Sequence, residues 1–188
     1  MKSWKCWLVD KTDGTGAAPE VALILAAGLG TRLRPQTKKA KPPAMVLGLT
    51  LAERVICTML DAGVRRFLVT LGHEADTVRS HFSEIAQRRG VTVDFVEAGD
   101  WARGNGASAL AAKGRTGEAP FFLVMIDHLF DPRIAQALAH DPPASRAMRL
   151  AVDRAQAARS DLDDFTLVMI DDGRIQSNET PRHDWASG

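Results

Sequence analysis

Unbroken apolar runs of strand length, separated by stretches of helical period, constrain this chain more than any other feature. Val21–Leu25 (VALIL), Arg66–Thr70, Thr92–Val96, Phe121–Ile126 (FFLVMI) and Met148–Val152 read as strands, and Thr50–Ala62, Ala75–Arg89, Asn105–Lys113 and Arg133–His140 read as helices. A strand without a polar face, such as VALIL or FFLVMI, is expected in a sheet covered on both sides, and strands joined through helices form parallel βαβ units. The expected fold class is therefore α/β, a three-layer α/β/α arrangement around a mostly parallel sheet. Thr166–Ile170, the turn Asp171-Asp172-Gly173 and Arg174–Ser177 add a C-terminal β-hairpin. The small, polar and Gly-rich run Lys11–Pro19 reads as a linker. That divides the chain into an N-terminal extension and linker over 1–19, a domain over 20–178 and a tail over 179–188.

Composition removes several classes of function. Lys and Arg total 24 against 23 Asp plus Glu, so no net positive field argues for nucleic acid or a membrane surface. Cys6 and Cys57 lie far apart without CxxC spacing, which gives neither a zinc site nor a disulfide framework and suits a reducing compartment. The longest apolar run, Phe121–Ile126, is far short of the roughly 20 residues of a membrane helix, and Met1–Asp10 is too polar for a signal peptide. A soluble cytoplasmic protein is expected.

In a parallel sheet ligands gather at the carboxyl ends of the strands, so the residues following each strand are the candidates for chemistry. After the first comes Ala26-Ala27-Gly28-Leu29-Gly30-Thr31-Arg32. Glycines let backbone N–H groups face phosphate oxygens without a Cβ in the way, and an arginine meets the remaining charge. The dinucleotide fingerprint fails because position 33 is Leu33, and the Walker A pattern fails because Leu33 and Arg34 stand where Lys and Ser or Thr are required. On residue pattern alone an ordinary Gly-rich turn remains open, as does a solvated role for Lys41 in the basic run Lys38-Lys39-Ala40-Lys41.

Leu25-Ala26-Ala27-Gly28-Leu29-Gly30-Thr31-Arg32-Leu33, followed by Lys41-Pro42 and by Val46-Leu47-Gly48, resembles the signature of nucleotide-sugar pyrophosphorylases and related nucleotidyltransferases, whose fold is Rossmann-like. The resemblance implies that Leu25, Ala26, Ala27, Gly28, Gly30 and Thr31 bind the nucleotide. It gives Arg32 and Lys41 the catalytic role of stabilising charge as pyrophosphate departs, a reaction that is mostly positioning and neutralisation of oxygens. A second segment, Trp101-Ala102-Arg103-Gly104-Asn105-Gly106-Ala107-Ser108, resembles a Trp-x-x-Gly-Asn-Gly stretch of the inositol-1-phosphate cytidylyltransferase branch. It implies nucleotide contacts at Gly104, Asn105, Gly106 and Ser108. Asn105 offers both a donor and an acceptor to a base edge, although a helix-capping role for it is also open, and Trp101 reads as a packing residue. A third segment, Asp127-His128 after the strand ending at Ile126, implies that Asp127 holds Mg²⁺ and that His128 contacts the acceptor phosphate. His73 and His81 are left as surface or core residues.

Three departures stand against full identity with that branch. Ala40 replaces a proline before the lysine, Leu167 occupies a lysine position in Asp163-Asp164-Phe165-Thr166-Leu167-Val168, and no Asp-Thr-Gly strand with a second metal-binding aspartate precedes Gly188. Asp184 lacks that context. The resemblance implies a shortened nucleotidyltransferase that moves CMP from CTP to inositol 1-phosphate or a related sugar or polyol phosphate. The alternatives are a hexose-1-phosphate thymidylyl- or uridylyltransferase and a catalytically impaired nucleotide-binding domain.

Overall fold

A computed structural model describes residues 18–28, 43–144, 146–152 and 167–179. Strand β1 (Val21–Leu25) leads to a short antiparallel ribbon, β2 (Met45–Val46) and β3 (Leu49–Thr50), and then to α1 (Leu51–Asp61). Next come β4 (Arg66–Leu71), α2 (Ala75–Arg89) and β5 (Thr92–Glu97). A 3₁₀ turn (Trp101–Arg103) follows, then α3 (Asn105–Ala111), β6 (Phe121–Met125) and α4 (Pro132–His140). Strands β7 (Leu167–Asp171) and β8 (Arg174–Glu179) close the order as an antiparallel hairpin. The main sheet is parallel with the order β5-β4-β1-β6.

That order explains the layers. The chain steps outward from β1 to β4 to β5, then returns across the sheet to β6 on the other side of β1. Right-handed crossovers therefore put the returning helix on the opposite face. Ala22, Ile24, Val69, Phe67, Phe122 and Val124 form the larger core with the inner sides of α1, α2 and α4. Leu23, Leu25, Leu68 and Val96 face the other way, onto Ala109, Ala111 and Ala112 of the α3 segment. The α/β expectation holds, with the second layer built among the described residues by α3.

The runs FFLVMI and MRLAV correct the expectation drawn from apolar runs. Among the described residues strand β6 ends the main sheet; Phe122 and Val124 are buried, whereas Phe121 and Leu123 are 41% and 51% exposed. Helix α3 packs on β1 and β4, so the β6 side of that face is not covered by it. Met148–Val152 forms no strand: Met148 and Leu150 are exposed, and the inward side chain is Arg149, paired with Asp141 at 2.6 Å. The β2–β3 ribbon escapes pattern reading because two residues per strand show no period. Leu47 and Gly48, both at positive φ, make its turn, and the Arg54 guanidinium donates to the Val46 and Leu47 carbonyls, each at 2.7 Å. No helix among the described residues is long and apolar enough to cross a membrane.

Polar contacts join the first turn of α1 to α2 at two points. Thr50 caps α1 by accepting from the Glu53 N–H, and its hydroxyl lies 2.9 Å from His81 Nε2. Glu53, 8% exposed, receives Arg89 at 2.7 Å and Arg88 at 3.3 Å, so two cations from the last turn of α2 meet a carboxylate in the first turn of α1. The Arg89 hydrogen bond outweighs burial and holds the Glu53 pKa below its ordinary 4.5. Burial pushes the His81 pKa below its ordinary 6.5, because the charged ring loses solvent there.

For a group whose folded pKa is depressed, the unfolded chain binds more protons as pH falls, so stability is lost from the unfolded value downward. Unfolding by urea should therefore show stability falling as pH drops below 6.5 because of His81, and a further loss below 4.5 because of Glu53. His81→Gln should remove the first component and leave the second. Thr50→Ala should cost about 1 kcal/mol at neutral pH through the lost cap.

Candidate active site

Four strand ends meet at one edge of the main sheet, and each continues into residues capable of ligand contact. After β1 come Ala26, Ala27 and Gly28; after β4, Gly72, His73 and Glu74; after β5, Ala98 to Gly104; after β6, Ile126, Asp127 and His128. The strand order changes sense between β1 and β6, where a parallel sheet leaves a crevice beyond its carboxyl ends. The β1 and β6 ends are tied together, with the Ile126 N–H donating to the Leu25 carbonyl at 3.2 Å. Gly28 and Asp127 thus flank the crevice from its two walls.

On the β1 side, the side chains of Leu25, Ala26 and Ala27 are buried, so any ligand contact there is made by backbone. Gly28 is exposed, and among the described residues a Cβ added to it would meet nothing within 4 Å. Gly30, Thr31, Arg32 and Lys41 lie outside the described residues.

Helix α3 begins at this edge. Gly104, with φ 101° and ψ −173°, occupies the N-cap in a conformation that L side chains rarely adopt. No side chain caps the helix, so Asn105 does not play the capping role open to it from sequence. Its amide nitrogen instead lies 3.7 Å from the Met125 sulfur, at the end of β6, and the residue is exposed with Gly104 and Gly106. Ser108 is 4% exposed and its hydroxyl donates to the Gly104 carbonyl at 3.5 Å, which places it behind the turn rather than on its open surface.

Asp127 is half-buried and His128 exposed in the turn after β6, where the His128 N–H donates to the Met125 carbonyl at 3.1 Å. Asp131 serves the helix behind them. Its carboxylate accepts from the Arg133 side chain and backbone N–H, which hold its pKa down to about 2, and so it caps α4. Among the described residues no group of three or more His, Cys, Asp or Glu could hold a metal.

Residue types alone left Gly72, His73 and Glu74 unassigned. The His73 N–H donates to the Ala27 carbonyl at 3.0 Å, extending the β1–β4 ladder into the site, and its ring lies 5.9 Å from that of Trp101. Glu74 adopts φ 54°, a left-handed conformation uncommon for a non-glycine residue, and its carboxylate sits 3.2 Å from His73 Nε2. The available signal was position: these residues follow a buried strand directly.

Residues 22–161 match the family described as MobA-like NTP transferase domain. The bifunctional IPC transferase and DIPP synthase of Rubrobacter xylanophilus is 35% identical over 175 residues, covering 92% of this chain and 37% of that protein. The 2-aminoethylphosphonate cytidylyltransferase of Lancefieldella rimae is 34% identical over 128 residues, covering 64% of this chain and 50% of that protein. Among solved structures, the inositol-1-phosphate CTP transferase from T. maritima shares the fold with a TM-score of 0.68 at 23% identity, covering 88% of this chain and 66% of that one. The chain therefore spans between about a third and a half of the length of these two curated relatives.

The glycines separate structural from ligand-imposed demand. Gly104→Ala should lower stability by about 1–3 kcal/mol, since alanine is strained at that φ and ψ. Gly28→Ala should leave the melting temperature unchanged within error, because no described residue meets the added methyl, and a fluorescence or calorimetric melt of both variants checks the contrast.

Proposed function

The chain belongs to the MobA-like NTP transferase domain family, and we propose that it transfers CMP from CTP to inositol 1-phosphate or a related sugar or polyol phosphate, releasing pyrophosphate. The observation that supports this best is that Gly28 and Asp127 follow the neighbouring strands β1 and β6, and that Asn105 reaches Met125 at the end of β6 at 3.7 Å. A glycine end suits phosphate oxygens, an exposed amide suits a base edge, and a carboxylate suits a phosphate-borne cation. The names of two relatives, one a cytidylyltransferase and the other a CTP transferase, favour cytosine over other bases.

In this reading an oxygen of the acceptor phosphate forms a bond to the α-phosphorus of CTP as the bond from that phosphorus to the pyrophosphate oxygen breaks. No general base is needed, since a phosphate monoester with a second pKa of about 6 is already largely dianionic at neutral pH. The backbone at Ala26 to Gly28 lines the triphosphate, and Asn105 reads the base through its amide. Arg32 and Lys41 keep the charge-neutralising role implied by the sequence resemblance. Mg²⁺ fits the edge in company with phosphate oxygens, because it takes one or two carboxylates plus substrate phosphates; Asp127 would hold it, and the bound ion would neutralise those oxygens. His128 is exposed beside Asp127, and in this reading it would contact the acceptor phosphate.

The acceptor admits a second reading. The likeness to the 2-aminoethylphosphonate cytidylyltransferase favours a phosphonate in place of the phosphate monoester, with the same attack on CTP.

Calorimetry with Mg²⁺ and the common nucleoside triphosphates should give CTP the lowest Kd, and pyrophosphate release should follow only on addition of the true acceptor. Inositol 1-phosphate, glucose 1-phosphate and 2-aminoethylphosphonate separate the acceptor readings, and equal affinity for all triphosphates would remove the choice of cytosine. Mg²⁺ and CTP should each raise the affinity of the other by the same factor, and Asp127→Asn should abolish that coupling while sparing much of the metal-free binding. Arg32→Ala and Lys41→Ala should each slow transfer by about 10²-fold or more, the scale of other lost transition-state donors.

A further inference from the structure

We propose that Trp101, seated on Gly72, is a positioning residue that fixes the spacing between the β1 end at Ala27–Gly28 and the Gly104–Asn105 turn, and so sets how strongly the base is discriminated. The inference rests on the nucleotide site described above. A Cβ on residue 72 would lie 2.6 Å from Cγ and 2.8 Å from Cδ1 of Trp101, and 2.7 Å from the Ala27 carbonyl oxygen. Real Cβ atoms essentially never approach so closely, so the indole and the β1 backbone both press on a position that only glycine can occupy. The indole is thereby held against β4 within reach of the last residues of β1.

From that contact a continuous set of backbone hydrogen bonds leads to the base side of the site. The Ala98 N–H donates to the Leu71 carbonyl at 2.8 Å, the Trp101 N–H to the Ala98 carbonyl at 3.1 Å, and the Gly104 N–H to the Trp101 carbonyl at 3.1 Å. The Ser108 N–H then donates to the Gly104 carbonyl at 3.3 Å, inside α3. In the 3₁₀ turn Trp101 is half-buried beside the tilted His73 ring at 5.9 Å, whereas Ala102 and Arg103 are exposed. Without the indole the turn keeps these backbone hydrogen bonds but loses the side-chain contact that seats it on Gly72 beside the Ala27 carbonyl. The triphosphate side, built on the β1 backbone, keeps its own ladder to β4 and β6.

Three ligands on four proteins test this. CTP and UTP probe both sides of the site, and inorganic tripolyphosphate with Mg²⁺ probes the phosphate side alone; all three are titrated by calorimetry into wild type, Trp101→Phe, Trp101→Ala and Gly72→Ala, with circular dichroism as the check of folding. A misplacement of about 1 Å is enough for large losses, so Trp101→Ala should weaken CTP by about 10-fold or more, shrink the preference for CTP over UTP, and leave tripolyphosphate within about two-fold. Trp101→Phe, which keeps an aromatic ring on Gly72, should restore most of the preference. Gly72→Ala should weaken both CTP and tripolyphosphate, because the added methyl meets the Ala27 carbonyl as well as the indole. Unchanged CTP affinity and preference in folded Trp101→Ala and Trp101→Phe would overturn the positioning role while leaving the nucleotide site standing. Equal weakening of CTP and tripolyphosphate in Trp101→Ala would also overturn it, as a general loss of structure. Failure of the wild type to bind CTP would remove the site reading and this inference together.

Discussion

Everything at the active edge depends on β1 lying in register between β4 and β6. Leu25 is opposite Thr70 on one side and Met125 on the other, so three strand ends finish at the same level. The side chains of β1 from Ala22 to Leu25 are buried on both faces, between α1, α2 and α4 below and α3 above. Buried apolar area of this kind is the dominant favourable term in folding, and here it also fixes the backbone that runs from β1 into Gly28. Because the register is set by core packing, a slip of β1 would exchange its two buried faces and carry Gly28 out of line with Asp127.

The stabilising polar contacts and the proposed chemical groups lie in different parts of the molecule. Glu53 with Arg88 and Arg89, and Thr50 with His81, join α1 to α2 on the flank of the sheet. Their titration changes how firmly the helical layer is held. At the carboxyl edge the described polar groups are backbone amides, the Asn105 amide, His73 with Glu74, and Asp127 and His128 after β6. Transfer of a nucleotidyl group needs fixed dipoles aimed at phosphate oxygens more than it needs a proton carrier, and an edge of this type supplies them at little cost in buried charge.

The β1 run VALIL, the long helix at Ala75–Arg89 and the hairpin around Asp172-Gly173 were legible because period and turn chemistry are local properties. FFLVMI misled because an apolar run reports only that its residues prefer burial, while its place at the end of the described sheet and the position of α3 decide which side is covered. MRLAV misled for a related reason: Arg149 is the inward residue, and its partner Asp141 is supplied by the fold, not by the run. The Leu47–Gly48 turn was too short to show a period at all, though its positive φ values give it a definite geometry.

Of the candidate site, the sequence by itself singled out the glycine loop, Asp127 and His128, because these follow recognisable strands, and the Gly104-Asn105-Gly106 segment, because it opens a helix after β5. Only the tertiary structure decided that Asn105 leaves the helix uncapped and turns toward Met125, that Ser108 lies behind the turn, and that Gly72 is pinned between an indole and a carbonyl oxygen. A residue's type limits the bonds it can make, and its sequence neighbours limit its backbone. Which groups stand opposite it across a sheet is set by strand order and register, and those arise from the packing of segments far apart in the chain.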